Sequence, residues 1–191
     1  MRAILYGLLF LVAAGIGYVA FDYYARVGSA EAYGTPFELV DQKGQPITEK
    51  DFRAQPSAIF FGFTHCPEIC PTTLFELDGW LKKLGPEGDD VRAFFVTVDP
   101  ERDTPELMDR YVSNVSQRIT GVTGDPAKVA AMTKSFNIYS RKVDLDGGDY
   151  TMDHTASVIL LDKGGAFAGT IAYGESEQTA LAKLKRLATG S

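Results

Sequence analysis

Apolar residues gather along this chain in blocks whose spacing separates buried strands from amphipathic helices. Ala58-Ile59-Phe60-Phe61-Gly62-Phe63 and Ala93-Phe94-Phe95-Val96-Thr97-Val98 are nearly continuous apolar runs, the pattern of strands covered on both faces. Between them Leu74, Leu77, Leu81 and Leu84 recur at three- and four-residue intervals and mark one face of a helix, which Gly85-Pro86 stops. Thr104-Pro105 supplies an N-cap with proline at the first helical position, and Leu107, Met108, Tyr111, Val112 and Val115 form the apolar face that follows. Ile119 to Thr123 predicts a short strand, and Asp125-Pro126 caps a further helix with Val129, Met132 and Phe136 on its inner face. Ahead of all these, Phe37 to Val40 and the Lys43-Gly44-Gln45 turn predict a small hairpin.

Later the order changes. Ser157 to Leu161 and Ala166 to Ile171, joined through Lys163-Gly164-Gly165, predict an antiparallel hairpin, and a last helix starts near Ser176 and packs through Leu181, Leu184 and Leu187. Strand, helix, strand, helix, then a hairpin and a closing helix is the order of an α/β thioredoxin-like sandwich with a mixed sheet. Alternation alone admits other α/β folds, and the placement of the cysteines narrows the choice.

The N-terminus carries a different pattern. Ala3 to Phe21 holds no charged residue, and at ~1.5 Å per helical residue it reaches about 28 Å, close to the hydrocarbon thickness of a bilayer. Ala30-Glu31-Ala32 offers a small-x-small cleavage site, but it lies well beyond the run, and the run exceeds the ~7 to 15 apolar residues of a signal peptide. An uncleaved transmembrane helix is therefore expected, with residues 1–26 as anchor, 27–36 as tether and 37–191 as one folded domain. Arg2 and the amino terminus precede the span while Asp22 and Arg26 offset each other after it, which sends the C-terminal domain outward. No Arg- and Ser-rich presequence comes first, so the expected place is a bacterial inner membrane, single-pass, with the domain in the periplasm.

Charge and cysteine content then bound the chemistry. The 19 basic and 25 acidic residues leave a net charge of −6, which repels a phosphate backbone, and nucleic-acid binding is set aside. Two cysteines cannot build a disulfide framework, and in an oxidising compartment a close pair joins unless it is reduced or ligated.

Thr64-His65-Cys66-Pro67-Glu68-Ile69-Cys70-Pro71 falls where a buried strand ends and a helix starts, the edge at which open α/β sheets collect ligands. Free N–H groups at that helix entrance favour thiolates, and both sulfurs are expected to ionise near neutral pH. Cys-x-x-x-Cys serves equally to pinch a metal or to form a disulfide, and the spacing does not choose. His154, one of two histidines, precedes the Ser157 strand in a loop that a thioredoxin-like layout turns towards the cysteines. Thiol oxidoreductases of that fold generally carry a cis-proline there, and this chain has no proline after Pro126. Cys66, Cys70 and His154 make a soft three-coordinate donor set suited to Cu(I), with room for an extra ligand on Cu(II), whereas structural zinc normally takes four protein ligands. Asp153 is the candidate carboxylate behind the imidazole, and Met152 a candidate weak axial donor. His65 ranks as environment, since neighbouring side chains of an extended segment point apart. Asp144 to Asp149 resembles a calcium loop, but the twelfth position is Thr155 rather than Glu, so an exposed loop between extended segments is expected. Asp99 to Pro105 reads either as a helix entry or as a docking surface.

Three blocks in order resemble the Sco/SenC family of copper chaperones for cytochrome c oxidase: Gly62 to Pro71, Val98 to Pro105, and Asp153 to Ser157. The resemblance covers nearly the whole chain. It implies a thioredoxin-like fold, one N-terminal anchor, Cu(I) or Cu(II) held by Cys66, Cys70 and His154, and a role in assembling the dinuclear copper site of oxidase subunit II. The partners expected on this reading are that subunit, a periplasmic copper donor and a thiol reductant, with no catalysis required. The alternative is a thiol-disulfide reductase in which Cys66 and Cys70 form a redox-active disulfide and Cys66 is the attacking thiol.

Overall fold

The computed structural model describes Tyr6, residues 14–19 and residues 31–190. Contacts divide the chain into two units, Met1–Glu31 and Ala32–Ser191. Most of the expected span, Ala3 to Phe21, lies outside the described residues, as does the 27–30 part of the tether. Among the described residues no helix is long and apolar enough to cross a membrane. Tether residues on the C-terminal side are already packed on the folded unit: Ala32 bridges to Ala166, and Tyr33 donates its hydroxyl to the Phe136 carbonyl at 3.1 Å.

The folded unit runs β1 (Glu38–Asp41), β2 (Pro46–Thr48), α1 (Glu49–Arg53), β3 (Ser57–Gly62), α2 (Ile69–Leu84), α3 (Pro86–Asp89), β4 (Arg92–Thr97), α4 (Pro105–Val115), β5 (Ile119–Thr123), α5 (Pro126–Ser135), β6 (Ser140–Asp144), β7 (Tyr150–His154), β8 (Ser157–Leu161), β9 (Phe167–Ala172) and α6 (Glu177–Thr189). Seven strands form one sheet in the order β2-β1-β5-β4-β3-β8-β9. The β3, β4 and β5 strands are parallel and joined by helices, whereas β8 returns antiparallel on the other side of β3. This is the expected thioredoxin-like mixed sheet.

Burial explains the centre of the sheet. All six β3 residues are buried, and β4 is buried from Ala93 to Thr97. Phe52 stacks on Phe94 with centroids 4.0 Å apart, and Phe60 on Phe95 at 6.1 Å. Each buried aromatic contributes several kcal/mol, about 1.5 to 3 for removal from water alone. Helix starts follow side-chain chemistry: Thr104 accepts from the Leu107 N–H, Asp125 from Ala127 and Lys128, and Ser176 from Thr179. Gly85, at φ 61°, closes α2, and Pro86 opens the short α3 rather than ending helical structure outright.

Asp144 to Asp149 is, as expected, an exposed turn between extended segments. Those segments pair as a separate two-stranded antiparallel sheet, β6-β7, Ser140 with His154 and Asp144 with Tyr150, so His154 ends a strand where a loop was expected. Ser140 to Asp144 is exposed at every position but Val143, so no alternation of apolar and polar residues marks it as a strand.

Candidate metal centre

The two cysteines are placed by the turn from β3 into α2. The Cys66 N–H donates to the Phe63 carbonyl at 3.2 Å, which tightens the turn, and Cys70 lies in the first turn of α2. No side chain caps that helix, and the Cys66 Sγ takes the cap's place by accepting the Cys70 backbone N–H at 3.3 Å. Cys70 is fully buried and belongs to the core cluster, while Cys66 is partly buried on the rim. Room for the Cys70 sulfur depends on Gly62, where a Cβ would stand 2.8 Å from it and 2.7 Å from the Phe95 ring.

His154 arrives from the other side. It ends β7, and its Nε2 stands 3.6 Å from Cys70 Sγ. The rings of Phe60 and Phe63 meet the imidazole edge to face at 6.0 and 5.8 Å. The two Sγ atoms and one imidazole nitrogen all lie within 4.8 Å of one another, so the structure brings together the three predicted ligands. Cys66 and His154 border a cleft of about 300 Å³, also lined by Phe63, Pro67, Ile69, Met152 and Ala156, with Cys70 buried behind it.

The sulfurs are not equivalent, contrary to the expectation that both ionise. Donation from the Cys70 thiol, and less strongly from His154 and the backbone N–H groups of Cys70 and Glu68, holds Cys66 down at about 4 against the opposing effect of burial. The Cys70 thiol is pushed far up, first by sharing its proton with Cys66 and then by burial. One proton between two close sulfurs produces this split. Two sulfurs with an imidazole suit a soft cation better than any hard ion, and such an ion would take the place of that proton.

Asp153 does not stand behind the imidazole. His154 Nδ1 faces the Thr155 carbonyl at 3.0 Å, and Asp153 instead pairs with Arg141 at 2.9 Å on the exposed side of the hairpin. Successive strand residues point to opposite faces, so an acid next to an inward histidine must point outward. A backbone carbonyl fixes the ring as well as a carboxylate does. By the same alternation Met152 shares the His154 side and reaches the cleft. His65 is exposed, with Nδ1 3.2 Å from Thr64 Oγ1 and 4.0 Å from Asp103 Oδ1, outside the three-ligand group.

Asp103 is the functional residue that sequence reasoning missed. It is fully buried beneath the cysteine turn and accepts from the Thr64 N–H at 3.1 Å, the Thr64 hydroxyl at 2.5 Å and the Thr97 hydroxyl at 2.6 Å. Burial pushes its carboxyl up, and those three donors oppose the shift. The Asp99 to Pro105 segment therefore supports the site from within, in addition to opening α4.

A family model described as SCO1/SenC matches residues 25–189. The chain belongs to the SCO1/SenC family. Among curated relatives, a SCO2-like protein of Rickettsia prowazekii is 37% identical over 70% of this chain and 66% of its own length. The mouse mitochondrial SCO2 homolog is 42% identical over 73% of this chain and 55% of its own. The chain thus spans less than two thirds of the length of these relatives. Bradyrhizobium japonicum ScoI, solved with copper bound, superposes with a TM-score of 0.75 at 45% identity, covering 82% of this chain and 99% of that one. Yeast Sco1 with copper bound gives 0.76 at 32% identity, covering 84% and 91%.

Proposed function

We propose that this chain is a copper metallochaperone that holds one copper ion between Cys66, Cys70 and His154 and passes it to the dinuclear copper site of cytochrome c oxidase subunit II. One observation carries the reading: three soft donor atoms from two separate elements, the turn into α2 and the end of β7, converge within 4.8 Å. Support also comes from relatives solved with copper bound, at 45% and 32% identity. With three protein ligands and an open cleft, a fourth position faces a partner, and ligand exchange there moves the ion without bond-making catalysis. The remaining parts of the proposal follow from the sequence: an N-terminal helix in a bacterial inner membrane, the folded unit in the periplasm, and a copper donor and thiol reductant as further partners.

Loading the reduced folded unit with copper tests it. The wild type retains one equivalent through desalting, and Cys66→Ser, Cys70→Ser and His154→Ala each lose it or bind far more weakly. Stoichiometric retention by any of the three overturns the assignment of that ligand.

The low-lying Cys66 thiol favours a second reading, a thiol-disulfide reductase. There the Cys66 thiolate attacks a partner disulfide and releases one partner thiolate. Cys70, once deprotonated, displaces the second, leaving Cys66 and Cys70 oxidised to a disulfide and the partner reduced to a dithiol. That chemistry needs both sulfurs but not His154. Oxidase assembly restored by His154→Ala supports the reductase, and failure of assembly with intact thiol exchange supports copper delivery.

A further inference from the structure

The hairpin that carries His154 shares no ladder with the seven-stranded sheet. It leaves the body after Asn137, whose φ of 51° makes it the one non-glycine with positive φ among the described residues, and it returns through Thr155 and Ala156. Both crossings lie at the His154 end, because Ser140 pairs with His154. The far end, where Asp144 pairs with Tyr150, is about 13 Å away along the strand and needs its own attachment.

Tyr150 supplies that attachment. Its hydroxyl donates to Asp99 Oδ1 at 2.8 Å, and its carbonyl accepts from Arg102 Nη1 at 3.0 Å. The Arg102 guanidinium carbon stands 3.6 Å from its ring centroid and Lys142 Nζ 3.7 Å, so two cations lie against one ring. Arg102 is oriented in turn by Asp99, Nε to Oδ2 at 2.5 Å, and Lys142 by Glu101 at 3.3 Å. Asp99 donates its N–H to Thr97 Oγ1, and Thr97 donates to Asp103, the same carboxylate that holds Thr64 before the cysteines. One short segment, residues 97–103, thereby ties down both halves of the metal centre.

We propose that Tyr150 is a positioning residue, latching the far end of the β6-β7 hairpin onto Asp99 and Arg102 so that the His154 imidazole is held over the two sulfurs. Its consequence for copper rests on the metallochaperone reading, whereas the latch itself is a property of the metal-free protein. Tyr150→Phe keeps the ring and removes one hydrogen bond to a charged acceptor, and Tyr150→Ala removes the ring as well.

Two measurements on the same variants separate the two questions. Amide hydrogen exchange of metal-free protein reads the latch: β6-β7 amides exchange about 10-fold faster in Tyr150→Phe and about 100-fold faster in Tyr150→Ala, with β3 and β4 unchanged. Electron paramagnetic resonance of the Cu(II)-loaded protein reads the ligand: nitrogen coupling present in the wild type and absent in His154→Ala is weakened or heterogeneous in Tyr150→Ala, and less so in Tyr150→Phe. Unchanged hairpin exchange in Tyr150→Ala overturns the latch. Faster exchange with a wild-type nitrogen signal overturns the positioning role. If the wild type itself shows no His154-dependent nitrogen signal, the copper assignment of His154 fails, and the exchange data still decide the latch.

Discussion

Alkylation of the reduced, metal-free protein across pH exposes the inequality of the two sulfurs. Cys66 is brought from an ordinary thiol value of 9.0 to about 4, principally because Cys70 donates its S–H to it. At about pH 6 an ordinary thiol is ionised to roughly one part in a thousand while Cys66 is almost wholly thiolate, a gain of about 10³ in reactive form. Nucleophilicity falls with basicity, and over that span the loss is about 10² to 10^2.5. The net expectation is that Cys66 reacts several-fold faster than a small-molecule thiol at about pH 6 and about 10-fold or more slower at about pH 8. The slope is the clearer signature: the Cys66 rate stays flat between about pH 6 and 8, where the reference rises roughly tenfold per pH unit. Cys70, buried and protonated, stays unmodified in the native state. Stopped-flow iodoacetamide labelling with peptide mapping measures both. Cys70→Ala removes the largest cause of the low value and lifts the lower edge of the plateau most, and His154→Ala lifts it less. A wild-type rate that climbs tenfold per pH unit over this range, or equal labelling of the two cysteines, refutes the reasoning. The sign for stability follows. Cys66 ionises more readily folded than unfolded, so its contribution is full above the ordinary thiol range and is lost as pH falls towards about 4. Cys70 acts oppositely and costs stability where the unfolded thiol ionises, above about pH 9.

Three further outcomes are expected. Gly62→Ala places a methyl 2.7 Å from Phe95 and 2.8 Å from Cys70 Sγ, so urea midpoints fall by the equivalent of about 1 to 3 kcal/mol and copper retention drops with them; an unchanged midpoint contradicts the close packing. Asp103→Ala strands the Thr64 N–H and two hydroxyls and costs about 3 kcal/mol or more in chemical denaturation, while Asp103→Asn, which retains an acceptor, costs less. Tyr111→Phe removes a buried hydroxyl that has no hydrogen-bond partner among the described residues, so thermal unfolding is unchanged or rises slightly, by about 1 kcal/mol at most; a marked loss of stability is the contrary result.

What the sequence made legible is what local physics determines. The runs at Ala58 and Ala93 have only one stable home, the middle of a sheet covered on both faces, and the Thr104-Pro105 and Asp125-Pro126 starts depend on residues within three positions. The convergence of Cys66, Cys70 and His154 was legible too, although 84 residues separate Cys70 from His154, because the element order turns the segment before β8 towards the cysteine turn and no proline occupies it, and the family resemblance points the same way. The extended segments on either side of Asp144 to Asp149 were legible, but their pairing as a separate sheet was not, because the contacts at its far end run from Tyr150 to Asp99 and Arg102, about 50 residues away. Asp153 misled for a related reason: adjacency to His154 in sequence becomes opposition across a strand once β7 forms. Asp103 sits among Glu101, Arg102 and Thr104 in a segment that reads as solvated, and donors from Thr97 and the distant Thr64 make its burial tolerable.

The two halves of the metal centre therefore draw their rigidity from different sources. Cys70 is part of the core, wedged over Gly62 beside Phe95 at the start of a 16-residue helix, and any change there is felt as a loss of global stability. His154 belongs to a hairpin held mainly by a polar latch at its far end, where a change alters the position of one imidazole while leaving the sheet intact. Core variants should thus lower the unfolding midpoint and all three ligand contacts together, and latch variants should disturb the imidazole alone.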